Sequence, residues 1–217
     1  MKHILTDTEV RVLGALIEKE IATPDNYPLS LNALTAACNQ SSNRHPVVHY
    51  DEGEVGDAVE SLREKGFVHL VDRGESRVRK QRHVLYEALN LGRPSIAVLC
   101  VLMLRGPQTP GELRSRTERM CGPMTLPEIE KCLEELTSGG DPLIRVIPAR
   151  PGQKENRYVQ LLSGEPDLET LTAATVTASA AASEKSRLDT LEAELEALKS
   201  EFRALRDELG DFKKLFG

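Results

Sequence analysis

Residues 51–71, DEGEVGDAVESLREKGFVHLV, predict a helix that runs into a β-strand, and this pair decides the fold. Asp51 and Glu54 have the spacing of a capping box, in which each side chain accepts a hydrogen bond from the other residue's backbone N–H. Gly66 supplies the left-handed position at which helices commonly end. The apolar stripe of the helix is Val55, Ala58, Val59 and Leu62. We therefore expect an amphipathic helix followed by a strand that begins at Phe67.

The strand at 67–71 forms one arm of a predicted β-hairpin. A turn at 73–75 follows it, and a second extended run continues to Leu89. Upstream, a capping box at 6–9 begins a first helix, and Ser30 caps a short second helix. Three helices followed by a hairpin are the arrangement of a winged helix, a variant of the helix-turn-helix.

The same order of elements recurs in the second half. An apolar helix ends at Leu104, and capping boxes at 109–112 and 125–128 begin two more helices. Extended runs at 143–147 and 157–162 predict a second hairpin. The predicted fold class is therefore α+β and predominantly helical, with two tandem winged helices. We divide the chain into winged-helix domain 1 (1–91), winged-helix domain 2 (92–164), an Ala/Thr/Ser-rich linker (165–183) and a coiled-coil helix (184–217).

The C-terminal segment carries a heptad repeat, the pattern of a coiled coil. Its predicted dimerisation residues are Leu188, Leu191, Leu195, Leu198, Phe202, Leu205, Leu209 and Phe212. A parallel dimer makes every flanking pair attractive: Arg187 with Glu192, Glu194 with Lys199, Glu201 with Arg206, and Glu208 with Lys213. Each pair contributes about 0.3–0.5 kcal/mol, so the charges select the orientation more than they add stability. A trimer, and a lone helix folded back on its own chain, stay open as alternatives.

The composition favours a cytoplasmic protein without enzymatic activity. The formal net charge is −6, so a surface for nucleic acid has to be local. No secretory signal is expected at the start, and the longest apolar run, 96–104, is too short to cross a membrane. The four cysteines are expected to be reduced, mostly buried thiols, because they lack metal-ligand spacing. We recognise no catalytic motif and expect no catalytic residue, metal or cofactor.

A basic cluster in the first hairpin is the candidate interface for double-stranded DNA. Local clusters of Arg and Lys on a protein surface indicate binding to phosphates, whose charges they neutralise. Asn, Gln and Arg side chains in the polar loop at 39–44 could read base edges, although Asn39 fits a turn better. The candidate nucleic-acid contacts are Arg73, Arg77, Arg79, Lys80 and Arg82 of the hairpin, with Asn43 and Arg44 of the loop. A thinner basic set in the second half is Arg114, Arg116, Arg119, Arg145, Arg150, Lys154 and Arg157.

The third helix of each half is acidic, which argues against insertion into a DNA groove. A winged helix ordinarily places this helix in the major groove, where carboxylates would be repelled by phosphates. The outward carboxylates are Glu52, Glu54, Asp57, Glu60 and Glu64 in the first half, and Glu128, Glu130, Glu134 and Glu135 in the second. Our first hypothesis is a cytoplasmic dimeric DNA-binding regulator that contacts phosphates through the first hairpin. The alternative is a non-enzymatic protein-interaction scaffold that uses its acidic helices and dimerises through the coiled coil.

Several stretches resemble the YceH family of bacterial proteins. They are RVLG at 11–14, LIEKE at 16–20, TPDNYPLSLNAL at 23–34, ACNQ at 37–40, SNR at 42–44, GPQTPGELR at 106–114, PG at 151–152, RY at 157–158 and LL at 161–162. The resemblance runs from Leu5 to Leu162 and implies two winged-helix domains. It implies little about activity, because the family is uncharacterised and its DNA-binding label rests on the fold. It directs attention to the motif at 27–44 and carries over no functional residue.

Overall fold

The computed structural model describes residues 4–71, 79–149 and 155–166, and in these ranges the chain is α+β. The helices are α1 (Asp7–Ala22), α2 (Leu31–Cys38), α3 (Glu52–Glu64), α4 (Leu85–Leu89), α5 (Arg93–Arg105), α6 (Pro110–Cys121) and α7 (Leu126–Thr137). The strands are β1 (Leu29–Ser30), β2 (Val68–Val71), β3 (Lys80–His83), β4 (Ile144–Ile147) and β5 (Arg157–Gln160). A short 3₁₀ turn at Pro24–Asn26 joins α1 to β1.

The predicted capping residues begin the helices. Thr6 Oγ1 accepts a hydrogen bond from the Glu9 backbone at 3.2 Å, and the Glu9 carboxylate accepts one from the Thr6 backbone at 2.7 Å. The same reciprocal pair begins α3 at Asp51 and α6 at Thr109. Gly66 follows α3 with φ +78°, a conformation that residues with a Cβ rarely adopt. Local chemistry therefore fixes these helix ends independently of the core.

The first half contains a three-stranded antiparallel sheet in the order β1-β3-β2. The β2–β3 hairpin was predicted, but β1 was not, because two residues are too few to show an alternating pattern. The predicted extension of the second strand to Leu89 is wrong: β3 ends at His83, and α4 follows. Val84 and Leu85 are both buried, and two neighbouring buried side chains do not fit a strand that alternates between its faces.

The second half repeats this plan with one strand fewer. Helices α5, α6 and α7 precede the antiparallel β4–β5 pair. Gln108, just before α6, pairs with Tyr158 of β5 through two backbone hydrogen bonds of 3.0 and 2.8 Å. This bridge occupies the place that β1 has before α2. The order of elements thus recurs although the residues differ.

Both halves contribute to one apolar core. Helix α1 is buried on nearly every side, from Glu9 to Glu18, and packs against α5. The contact is close, because a Cβ on Gly14 would lie 2.9 Å from Leu104 Cδ2. The chain also closes on itself, since the Leu5 backbone N–H donates to the Leu162 carbonyl at 2.8 Å.

The predicted coiled coil lies outside the described residues, as does the linker beyond residue 166. The eight predicted dimerisation residues from Leu188 to Phe212 therefore stay a prediction. The proposed division between residues 91 and 92 also stays a prediction.

Candidate functional site

The basic hairpin is described in part. Arg79 is exposed just before β3, whereas Arg73 and Arg77 lie outside the described residues. Lys80 and Arg82 are partly exposed and alternate along β3 with the buried Gln81 and His83, so they share the outer face of the sheet. In the part of the chain that the structure describes, no carboxylate forms an ion pair with Arg79, Lys80 or Arg82.

The two loop residues proposed to contact DNA have structural partners instead. The Arg44 side chain is fully buried and donates to Glu18 Oε2 at 2.6 Å and to the Ala37 carbonyl at 2.9 Å. Asn43 adopts a left-handed backbone with φ 60°, and its Oδ1 accepts a hydrogen bond from Arg105. Because Arg44 exposes no guanidinium surface, it leaves the candidate interface. This correction has a physical cause: a buried arginine is stable only where carbonyls and a carboxylate surround it.

The rest of the polar loop is held in the same way. Asn39 donates to the Tyr50 carbonyl at 2.7 Å and accepts from the Tyr50 backbone at 2.9 Å. Arg11 reaches from α1 to the Cys38 carbonyl at 3.1 Å and to the Pro46 carbonyl at 2.6 Å. Burial, with Arg44 nearby, lowers the pKa of Arg11. The turn role expected for Asn39 is confirmed, and the loop is anchored to α1.

Residues of the 27–44 motif also position β3. The Tyr27 hydroxyl accepts a hydrogen bond from the His83 backbone at 2.7 Å, and burial raises the pKa of Tyr27. His83 Nδ1 accepts from the Leu85 backbone at 3.2 Å. His83 Nε2 lies 2.8 Å from Glu20 Oε2, but no hydrogen bond joins these two atoms. Tyr27 thus holds the inner face of β3, which packs against α1, and Lys80 and Arg82 stay on the outer face.

The acidic surfaces of the third helices are exposed, as the sequence predicted. All nine carboxylates singled out on α3 and α7 are exposed. Some have local partners: Glu60 binds Arg63 on the same helix, and Glu54 and Glu128 accept hydrogen bonds at their own helix starts. Among the described residues, the carboxylates of Asp57 and Glu134 form no hydrogen bond or ion pair. Two acidic faces are thus open to a partner.

An arginine-rich cavity of about 320 Å³ lies between α1, α5 and α6. The arginines that line it are Arg105, Arg116 and Arg119, and the carboxylates are Glu18 and Glu118. Sequence reasoning missed it because Glu18 and Asn43 lie far along the chain from residues 100–120, which form the rest of the lining. One signal was available: Glu18 is a charged residue among the apolar residues of α1, and a buried carboxylate needs a positively charged partner.

The remaining basic residues of the second half do not form one patch. Arg114 is exposed on α6, whereas Arg157 donates to Glu112 at 2.8 Å. Arg145 donates to Glu165 at 2.7 Å. Arg150 and Lys154 lie outside the described residues. We therefore do not assign this half a phosphate-binding hairpin.

Cys38, Cys100 and Cys132 are buried free thiols, as expected, and Cys121 is half-buried. Burial raises the pKa of Cys38 to about 12. Within residues 4–71, 79–149 and 155–166, no three His, Cys, Asp or Glu side chains are grouped as metal ligands would be. In the same ranges, no helix has the length and apolar character needed to span a bilayer.

Comparison with known proteins identifies relatives of unknown activity. Residues 5–153 match the model of a family described as "Protein of unknown function, DUF480". A "UPF0502 protein" of Geotalea daltonii is 55% identical over 166 residues, which cover 76% of each chain. A UPF0502 protein of Citrifermentans bemidjiense is 48% identical over 194 residues, 89% of each chain. One from Opitutus terrae is 50% identical over 162 residues, 74% of this chain and 70% of the relative.

Proposed function

The chain belongs to the family of unknown function DUF480, and we propose that it is a non-enzymatic protein-interaction module whose acidic third helix binds a basic partner surface. We infer that each half is a winged helix. The order α1-β1-α2-α3-β2-β3 and the sheet order β1-β3-β2 support this inference for the first half. The bridge at Gln108 supports it for the second. We also propose, from the sequence resemblance, that the chain is related to the YceH family.

The observation that carries the proposal is the exposed acidic face of α3. Five carboxylates of this helix face solvent, and Arg63 is the one basic side chain among its residues. Such a face repels the phosphates of a DNA groove, whose spacing of about 1.7 Å per charge makes the repulsion strong. It attracts Lys and Arg side chains, which favours rapid and selective encounter with a basic protein surface.

Photo-crosslinking in living cells tests the proposal. A photoreactive residue placed at Glu60, which is exposed on α3, should crosslink a partner with a basic surface. The crosslink should disappear when Asp57 and Glu64 are replaced by Lys, because charge reversal repels such a partner. A photoreactive residue at Arg114, exposed on α6, is the matched control and should not give this product. A product that survives the charge reversal, or none at Glu60, contradicts the proposal.

A second candidate function is DNA binding through the β2–β3 hairpin. The charges of Arg79, Lys80 and Arg82, which no carboxylate neutralises in the described part of the chain, favour it. Fluorescence anisotropy with a random duplex should then show affinity falling by orders of magnitude between about 50 and 200 mM salt. Replacing Arg82 by Ala should flatten the salt slope, whereas replacing Arg114 by Ala should leave it unchanged. Absence of binding at the lowest salt concentration would exclude this function.

We further propose that the segment 184–217 makes the protein a parallel homodimer. The heptad pattern and the four attractive charge pairs support this orientation. Sedimentation equilibrium should give twice the chain mass of 24.0 kDa, and replacing Leu195 and Leu198 by Lys should give monomers. A trimer would fit the same apolar seam but would contradict the proposed stoichiometry.

A further inference from the structure

We propose that the cavity between α1, α5 and α6 binds a small organic oxyanion, through the guanidinium groups of Arg105, Arg116 and Arg119. This site is separate from the acidic α3 and from β3, neither of which lines the cavity. The inference therefore does not depend on the identity of the protein partner or on DNA binding.

The charge distribution around Glu18 leaves an arginine in excess. One oxygen of this buried carboxylate binds Arg44 at 2.6 Å, and the other binds Arg119. A single negative charge is thus shared by two positive ones. Arg44 does not line the cavity, and its buried guanidinium already donates four hydrogen bonds to Glu18 and two carbonyls. The half-exposed Arg119 retains donors that can face the cavity.

Arg105 is the central group of the proposed site. It is partly buried, and its hydrogen-bond partner among the described residues is the neutral side-chain oxygen of Asn43. Burial lowers the pKa of Arg105, and repulsion from Arg116 and Arg119 lowers it further, although the Glu18 carboxylate partly opposes this. A bound anion would relieve this repulsion in a place where water screens it poorly. Among the described residues no carboxylate forms an ion pair with Arg105, so a bound oxyanion could take that place.

Carboxylates of the protein neutralise part of this charge and limit the charge of the ligand. Glu112 lies 3.5 Å from Arg116 on the same helix, and Glu118 lines the cavity wall. The lining therefore favours a ligand with one or two negative charges over a polyanion. Guanidinium groups match carboxylate and phosphate groups through paired hydrogen bonds.

The remaining lining describes the rest of the ligand. Val101, Leu104 and Met120 supply apolar surface beside the arginines. The volume of about 320 Å³ is at the lower end of the range for small-molecule sites. We therefore infer a ligand of metabolite size, with an anionic group at the arginines and a short apolar body.

Isothermal titration calorimetry of the full-length protein tests the inference. The probes are inorganic phosphate, pyrophosphate and succinate, each at ionic strength held constant with chloride. At least one probe should give saturable one-site binding below about 10 mM. A response to phosphate or pyrophosphate assigns a phosphate group to the ligand, and a response to succinate alone assigns a carboxylate. Absence of saturable binding by all three probes overturns the inference.

Three variants locate the binding. The Arg105→Gln and Arg116→Gln variants should each bind the responding probe at least tenfold more weakly. Arg145→Gln is the matched control, because Arg145 is exposed, pairs with Glu165 and does not line the cavity. Arg116 is half-exposed on α6, so its variant keeps the test valid if Arg105→Gln does not fold. If the Arg116→Gln and Arg145→Gln variants bind the probe with equal affinity, the proposed location is overturned.

Discussion

Replacing Glu18 by Gln removes the charge that holds Arg44 inside the protein. The Arg44 side chain has no exposed surface, and that of Glu18 is 5% exposed, so water cannot replace the lost carboxylate. Arg44 would keep its hydrogen bonds to the carbonyls of Ala37 and Asn43, but its charge would be unpaired. The substitution preserves the size and shape of the side chain, so the effect reports electrostatics and not packing.

The expected loss of unfolding free energy is about 3–5 kcal/mol, the usual effect of removing one partner of a buried ion pair. The second pair, with Arg119, adds little because Arg119 is half-exposed and screened by solvent. A domain of this size has a total stability of about 5–15 kcal/mol. The loss corresponds to a fall in melting temperature of roughly 6–20 °C. Urea unfolding followed by circular dichroism measures the free energy directly.

Two further variants separate the charge effect from other causes. Glu60→Gln is the control, because Glu60 and Arg63 form an exposed pair on α3, and the urea midpoint should stay unchanged. Adding Arg44→Met to Glu18→Gln should recover much of the lost stability, since an apolar side chain needs no counter-charge. A loss below about 1 kcal/mol for Glu18→Gln would refute the reasoning, because it would place the pair in the range of surface contacts.

Three more substitutions or conditions test other contacts. Gly14→Val should lower the unfolding free energy by about 1–3 kcal/mol, because a Cβ at this position meets a side chain of α5 at 2.9 Å; urea unfolding measures it. Burial alone would raise the pKa of Glu9, but hydrogen bonds, with Lys65 foremost, hold this pKa below its ordinary value. Glu9 therefore stabilises the fold above the pKa of the unfolded chain, and this effect is lost as the pH falls through the folded pKa. Lys65→Met should therefore shrink the acid-side loss of stability in a urea series from pH 6 to 3. Labelling of the native protein with a thiol reagent should modify Cys121 first, and Cys38 only on unfolding, since burial protects it.

Local chemistry explains why most helix starts could be predicted. A capping box such as Thr6–Glu9 needs residues three positions apart, so the sequence contains the whole contact. The same holds for Gly66 and for the exposed carboxylates of α3. The end of β3 could not be predicted in this way. Leu85 begins α4 and is buried in the core, and the core depends on residues that are distant in sequence.

The candidate site shows the same division. Arg44 is a basic residue in a polar loop, which is what the sequence of a DNA contact looks like. Only its hydrogen bond to Glu18, 26 positions away, reveals its structural role. The cavity is lined by Glu18 of the first half and by Arg105 and Arg119 of the second. No local sequence pattern predicts that these residues lie together. Charge alone identifies basic residues but does not tell which of them the fold neutralises.

The backbone contact between Leu5 and Leu162 has a consequence for how the two halves could be ordered along a chain. Because it brings residues 5 and 162 together, a short linker could join residue 166 to residue 4. New ends could be opened at Gly92, which is exposed between α4 and α5. Such a circular permutant would carry the second half first and should still build the same core. The architecture would then depend on which faces meet, and not on which repeat is synthesised first.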